Sequence, residues 1–283
     1  MVGYANFLFP LYIYPLSGKW QPLLDAATQY PDVTFTAVIN PYSGPDSVNG
    51  CPNKDYVEAV HTLNQHSNIK TMGYVHTANR WDCGITGTDI CFCTAPAAEV
   101  KQNISTYAGW ATAGCEGWST TSPDLHVDSI FIDEAPCEDG GNCLEYMDDL
   151  TTFTKTTLTT ATGGQVLFNA GAATDLAYFE VADVIVIFEA NQTAYESIPD
   201  IGVRNGNGAY HQKSSIIIYG ASNETSLIQR DTDTILSVER NYFDSLFYTD
   251  RSVDQYADFP YDWAEIMKEV NVVAQKNKAL LSV

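Results

Sequence analysis

The chain has 283 residues, 45% of them apolar and 17% charged, a globular composition long enough to bury a large core. With 35 acidic against 14 basic residues, its formal net charge is -21. Such a surface repels nucleic acid and anionic membranes, and it either draws a cationic partner or simply keeps the protein soluble. No stretch reaches the ~18 apolar residues that a membrane span requires.

Short, near-continuous apolar runs are how strands buried on both faces of a parallel sheet read in sequence. In chain order they are Phe7–Tyr14, Val33–Asn40, Ile69–His76, Ser129–Glu134, Val166–Asn169, Val184–Glu189, Ser214–Tyr219 and Ser245–Thr249. Between them, apolar residues at helical spacing predict helices over Trp20–Tyr30, Asp55–Gln65, Ala97–Ala113 and Leu144–Leu158. Short helices near Asp175–Val181 and Ala194–Ile198 follow, then longer ones over Glu224–Tyr242 and Asp262–Leu281. Strand–helix alternation repeated eight times predicts a parallel sheet, and eight units close into a barrel. The expected fold is an α/β, single (β/α)8 TIM barrel over residues 1–283, with extended loops after strands three and four (77–96 and 135–143). Both loops fall on the face where barrel enzymes keep their sites. No glycine-rich phosphate loop follows the first strand, which disfavours a dinucleotide fold.

Residues 4–16 are apolar, but they lack a basic flank and contain Pro10 and Pro15, so they read as a barrel strand rather than a secretory signal. A signal or membrane anchor removed ahead of this chain is expected. Of the seven cysteines, Cys137 and Cys143 flank a short Glu-Asp-Gly-Gly-Asn loop and predict a local disulfide. Cys83, Cys91, Cys93 and Cys115 surround a stretch rich in Gly, Thr and Asp, and Cys51 precedes them. Zinc would want Cys-x-x-Cys pairs or histidines at close spacing, whereas Cys91 and Cys93 are one residue apart with no His among the group. Disulfides are therefore expected, with one thiol left over. Sequons at Asn103, Asn191 and Asn223 join the cysteines in favouring a secretory, extracellular setting.

The C-terminal ends of barrel strands carry the informative polar residues. Here they are Tyr14, Asn40, His76, Asp133 with Glu134, Asn169, Glu189, Tyr219 and Asp250. An acid ending so apolar a run as Val-Ile-Val-Ile-Phe-Glu189 is costly unless solvated, paired or functional. Two carboxylates suit glycoside hydrolysis, in which one protonates the leaving oxygen and the other attacks the anomeric carbon or activates water. Strands four and six stand two apart in the ring, with Asn169 of strand five between them. Tyr42, Trp81, Trp118, Tyr195 and Tyr248 are candidate aromatic platforms for sugar, although each such ring more often simply packs. His76 reads as a hydrogen-bonding histidine, since no paired histidines stand near it to complete a metal site. No Gly-x-Ser-x-Gly elbow and no strand-end lysine are present, which removes support for a serine hydrolase or a Schiff-base aldolase.

Four motifs in order, Pro10-Leu-Tyr-Ile-Tyr-Pro15, Phe35-Thr-Ala-Val-Ile-Asn-Pro41, Gly73-Tyr-Val-His-Thr77 and Ile130-Phe-Ile-Asp-Glu-Ala-Pro136, resemble the spherulin-4-like proteins, glycoside hydrolase family 135. The resemblance implies a barrel that cleaves galactosaminogalactan, a fungal α-1,4-linked polymer of galactose and N-acetylgalactosamine, in endo fashion. It also implies active-site acids at Asp133, Glu134 and Glu189. Tyr14, Asn40, His76, Asn169, Tyr219 and Tyr248 are expected to contact substrate. In an α-linked N-acetylgalactosamine the 2-acetamido group shares a face with the leaving oxygen, so it is poorly placed to attack from behind. An enzyme carboxylate then takes that role: Asp133 as nucleophile, Glu189 as general acid/base with retention, and Glu134 binding or orienting substrate, with inversion as the alternative that a carboxyl separation of ~6.5–9.5 Å rather than ~5 Å would support. No metal or cofactor is required. The partner expected is the polysaccharide substrate, galactosaminogalactan or a related α-glycan, and the protein is expected to be a monomer. Partly deacetylated polymer is cationic and would be attracted to the acidic surface. The rival readings are a non-catalytic carbohydrate-binding or wall protein, and a hydrolase of another α-linked galactose-type glycan.

Overall fold

The structure, a computed structural model, describes residues 4–16, 18–47, 49–78, 92–138, 143–159, 164–203 and 208–282. Among these residues, eight strands alternate with eight α-helices: β1 (Ala5–Leu11), α1 (Gln21–Gln29), β2 (Val33–Ile39), α2 (Lys54–Asn64), β3 (Ile69–His76), α3 (Ala97–Gly109), β4 (Ser129–Asp133), α4 (Cys143–Thr157), β5 (Gln165–Asn169), α5 (Tyr178–Val181), β6 (Val184–Asn191), α6 (Gln192–Glu196), β7 (Ser214–Tyr219), α7 (Thr225–Leu236), β8 (Ser245–Tyr248) and α8 (Trp263–Leu281). Each strand runs parallel to the next and β8 returns to β1, closing the barrel in sequence order. This is the (β/α)8 fold expected.

Helix boundaries follow local chemistry. The Asn53 side chain accepts from the backbone N–H groups of Asp55 and Tyr56 and so caps α2, and Asn191 caps α6 in the same way. Helix α7 ends at Leu236, short of the expected Tyr242, because Ser237 turns to extended backbone and Tyr242 takes a φ of 51°. Asn277 of α8 then accepts from Val238 N–H at 3.0 Å and donates to Leu236 O at 2.9 Å, satisfying the released backbone.

Strand pleat decides what the barrel interior receives. Neighbouring strands pair Val38 with Met72, Tyr74 with Phe131 and His76 with Asp133, so Met72, Tyr74, His76, Phe131 and Asp133 share the inward face. The β8–β1 seam has one register pair, Phe7 with Leu246, and aromatic packing reinforces it. Phe9 stacks on Trp263 at 5.5 Å and lies 4.9 Å from Phe259 and 5.5 Å from Phe247. Gly73 faces outward under α3, where an added Cβ would stand 2.7 Å from the Tyr107 ring. That ring is pinned, since its hydroxyl donates to Ile39 O at 3.0 Å and Trp110 packs 4.7 Å away. Gly73→Ala is therefore expected to destabilise the protein by about 1–3 kcal/mol. The midpoint of urea unfolding measures this, and an unshifted midpoint would show that Tyr107 yields freely.

The disulfides correct one expectation. Cys143 opens α4 with its side chain buried and bonds Cys93, not Cys137; a second bridge joins Cys51 to Cys115. The first ties the β3–α3 connection to the start of α4 rather than closing a six-residue turn, and Cys137 is left as a free thiol. Cys83, Cys91 and Trp81, with most of the long loop after β3, lie outside the described residues. Among those described, no helix is long and apolar enough to cross a membrane.

Candidate active site

At the C-terminal mouth of the barrel, Asp133, Glu134, Asn169 and Glu189 converge on a cavity of about 260 Å³. Pro10, Tyr12, Phe92, Phe131, Ile217 and Tyr256 complete its walls. Asn169 stands between the acids at the end of β5. Its amide nitrogen donates to Asp133 Oδ1 at 2.8 Å and to Glu189 Oε2 at 2.7 Å. Each acid also has its own phenol: the Tyr74 hydroxyl donates to Asp133 Oδ2 at 2.7 Å, and the Tyr256 hydroxyl donates to Glu189 Oε1.

Burial raises the carboxyl pKa of both acids. For Asp133 the opposing donors are Tyr74 and Asn169; for Glu189 they are Tyr256 and Asn169, while the nearby charge of Asp133 raises it further. The two tyrosines are held well above the ordinary phenol range, by burial first and then by the neighbouring carboxylates, so they stay protonated donors.

The backbone around the acids is bent to deliver them. Glu134 has a φ of 55°, unusual for a residue with a side chain. Hydrogen bonds from Thr77 Oγ1 to Glu134 O at 2.7 Å and from Ala135 N–H to Asn169 O at 3.0 Å hold the turn. The turn swings Glu134 out of the pleat, beside His76, whose Nδ1 lies 3.5 Å from Glu134 Oε2 and donates to Ala78 O at 3.0 Å. Glu134 raises the His76 pKa, and burial opposes it. The β6–β7 register slips between Val186 and Phe188, just before Glu189, which is how a bulge re-aims a side chain beside a site. Gly171, at a φ of 63°, exchanges backbone hydrogen bonds of 2.9 Å with Val186 and Glu189; a Cβ there would lie 3.5 Å from that of Glu189.

The remaining sequence candidates sit elsewhere. Tyr14 is 44% exposed, and its hydroxyl donates to Asp55 at 2.8 Å. Asn40 accepts from Gly44 N–H at 3.2 Å and so braces the β2–α2 loop. Tyr219 ends β7 opposite Asn191, outside the cavity lining. Tyr248 is fully buried and points outward, because Ile217 and its register partner Phe247 take the inward face. Its hydroxyl turns instead to Ser222 O at 3.2 Å and to Asp231 of α7 at 3.5 Å. Tyr195 is buried against Phe188, and Asp250 accepts the N–H groups of Tyr261 and Asp262. Tyr12, Tyr74 and Tyr256 were not anticipated from the sequence. Tyr12 and Tyr74 were legible in principle from strand parity, but Tyr256 arrives on the β8–α8 loop and had no local signal.

A larger cavity, about 880 Å³, opens at the opposite end of the barrel among Asn6, Thr36, Ser129 and Asp244. Burial pushes the Asp244 carboxyl up to about 6, against Ser245 and Asn6. The paired carboxylates bridged by one amide stand at the mouth.

The Spherulin4 family model, spherulation-specific family 4, matches residues 6–270. The chain belongs to this family. The match runs from the second residue of β1 through β8, and so takes in Asp133, Glu134, Asn169 and Glu189. Among solved structures, Sph3 of Aspergillus clavatus, crystallised in complex with GalNAc, is 29% identical with a TM-score of 0.76, over 94% of this chain and 97% of that one. The chitinase RmChi1 of Rhizomucor miehei shares the fold alone, with 8% identity and a TM-score of 0.50 over 95% and 99% of the two chains. No curated protein sequence matches the chain.

Proposed function

We propose that this spherulin-4 protein is a secreted, endo-acting glycoside hydrolase that cleaves α-1,4-linked N-acetylgalactosamine in galactosaminogalactan with retention. The observation that carries this reading is the shared amide of Asn169. Because it contacts Asp133 at 2.8 Å and Glu189 at 2.7 Å, the two bonded oxygens are no farther apart than the sum of those contacts. Bonded oxygens this close favour the ~5–5.5 Å carboxyl spacing of retaining enzymes over the ~6.5–9.5 Å with which inverting enzymes seat a water. The GalNAc bound to the related Sph3 supports the choice of sugar. The disulfides fit an oxidising, secretory compartment.

In this mechanism the carboxylate of Asp133, whose ionised form Tyr74 and Asn169 favour against burial, attacks the anomeric carbon while Glu189 protonates the departing glycosidic oxygen. The bond from sugar to leaving oxygen breaks as the bond to Asp133 forms. Glu189 has given its proton to the leaving oxygen, and esterification removes the Asp133 charge that raised its pKa, so it stays ionised. Deprotonated, it activates the water that hydrolyses the glycosyl ester. Glu134, steadied by His76, lines the sugar's edge.

The test is purified galactosaminogalactan digested by the full chain, with products sized by mass spectrometry and the fresh reducing ends followed by proton NMR. Oligosaccharides whose α anomer appears first are expected. A β anomer appearing first would establish inversion, and no product from folded protein would overturn the hydrolase reading.

A further inference from the structure

Outside the cavity, two exposed aromatic rings beside α2 are held by one carboxylate. Trp118 is 72% exposed and Tyr14 44%. Asp55, at the start of α2, spends one carboxylate oxygen on each: Oδ1 accepts from Trp118 Nε1 at 2.9 Å, and Oδ2 accepts from the Tyr14 hydroxyl at 2.8 Å. Tyr14 also packs edge-on against Tyr56 at 5.5 Å, which packs edge-on against Trp20 at 5.9 Å.

The segment that carries Trp118 is anchored more firmly than an exposed loop needs. Glu58 accepts from the backbone N–H groups of Ser119 and Thr120 and from both their hydroxyls, and the Ser119 backbone contact leads the causes that lower its pKa to about 2. The Cys51–Cys115 bridge ties the same segment to the residues just ahead of α2. All this order is spent on the polar edges of the rings. Lys54 lies 5.1 Å from the centre of the Trp118 ring, on one of its faces. Beside Trp118, a groove of about 270 Å³ runs past Leu16 and Trp20 to Asp55 and Glu58.

Rigid aromatic surface in water is costly unless something covers it. A galacto-configured sugar suits this one: its axial 4-hydroxyl leaves the hydrogens of carbons 3, 4 and 5 on one apolar face, while its hydroxyls and any amine reach acidic and basic side chains at the rim. The platform also stands close to the mouth along the chain. Tyr12 lines the cavity and Tyr14 follows two residues later, at most ~7 Å along the backbone.

We propose that Tyr14 and Trp118 form an outlying glycan platform that holds a stretch of the polymer beyond the cleavage cavity. The assignment rests on the reading of the mouth as a site for galactosamine-type polymer, and its test does not depend on hydrolysis. The Asp133→Asn protein, which keeps the whole fold, is titrated with galactosaminogalactan in a calorimeter, alone and with Trp118→Ala, Tyr14→Ala or Trp118→Phe added. Trp118→Ala and Tyr14→Ala are each expected to weaken binding about tenfold, and Trp118→Phe, which keeps a ring, much less. Thermal melts confirm folding, and Tyr14→Ala carries the test alone if Trp118→Ala does not fold. Equal affinity for folded single and double variants overturns the platform while leaving the hydrolase reading intact. A wild type that binds through Trp118 but releases no oligosaccharides overturns the hydrolase and keeps the platform.

Discussion

Asp133→Asn and Glu189→Gln are each expected to lower kcat on the polymer by at least about 10³-fold while leaving the barrel folded. The two losses should separate on a substrate with a phenolate leaving group. That group departs without protonation, so Glu189→Gln loses far less kcat/KM there, although its kcat stays low because the glycosyl ester still lacks its base, whereas Asp133→Asn loses as much as on the polymer. The reverse pattern would exchange the two roles. Stability carries a second signature. Burial raises both carboxyl pKa values, so the folded state holds these protons more tightly than the unfolded chain does. That contribution is fully present below the unfolded carboxylate pKa and is lost as pH rises through the folded one. At neutral pH each amide variant should therefore melt no lower than wild type, and any advantage should vanish as pH falls below the ordinary carboxylate range. Variants that melt markedly lower at neutral pH would mean that the acids support the fold rather than strain it.

Asn169→Ala should rank next, with kcat reduced about 10²-fold, because it removes one donor from each acid. Asn169 favours the ionised form of both carboxyls, so its loss leaves them more strongly raised and less fixed in spacing. The acidic limb of the kcat/KM profile, which follows ionisation of the nucleophile, is expected to move to higher pH. Asn169→Asp should be worse still, since it replaces the shared donor with a third carboxylate. An unmoved profile with only KM raised would reduce Asn169 to a substrate contact. A residue that merely filled space would change the melting temperature without moving the profile.

Much of this architecture was legible along the chain. A strand buried on both faces writes itself as a short apolar run, and a helix on its surface repeats every three to four residues, so all eight units are legible in the sequence. The acids were legible for the same reason: Asp133 and Glu189 interrupt runs where an uncompensated charge is costly. Their roles as neighbours also followed from strand order, with Asn169 between them. Tyr248 illustrates the limit. It stands at a strand end like the others, but one step of pleat sends it to Asp231 instead of the cavity. Tyr14 failed as a cavity residue because β1 ends at Leu11, and the inward position passed to Tyr12.

By itself, then, the sequence determined the number and order of the strands, the closure of the barrel and the acids at its mouth, since local periodicity and the cost of burying charge act within a few residues. Only the tertiary structure decided that Tyr256 reaches Glu189 across 67 residues, that Cys93 and not Cys137 meets Cys143, and that the left-handed turn at Glu134 brings it to His76. Those choices depend on distances between segments remote in sequence. No local propensity encodes such distances until the barrel has closed and fixed which faces meet.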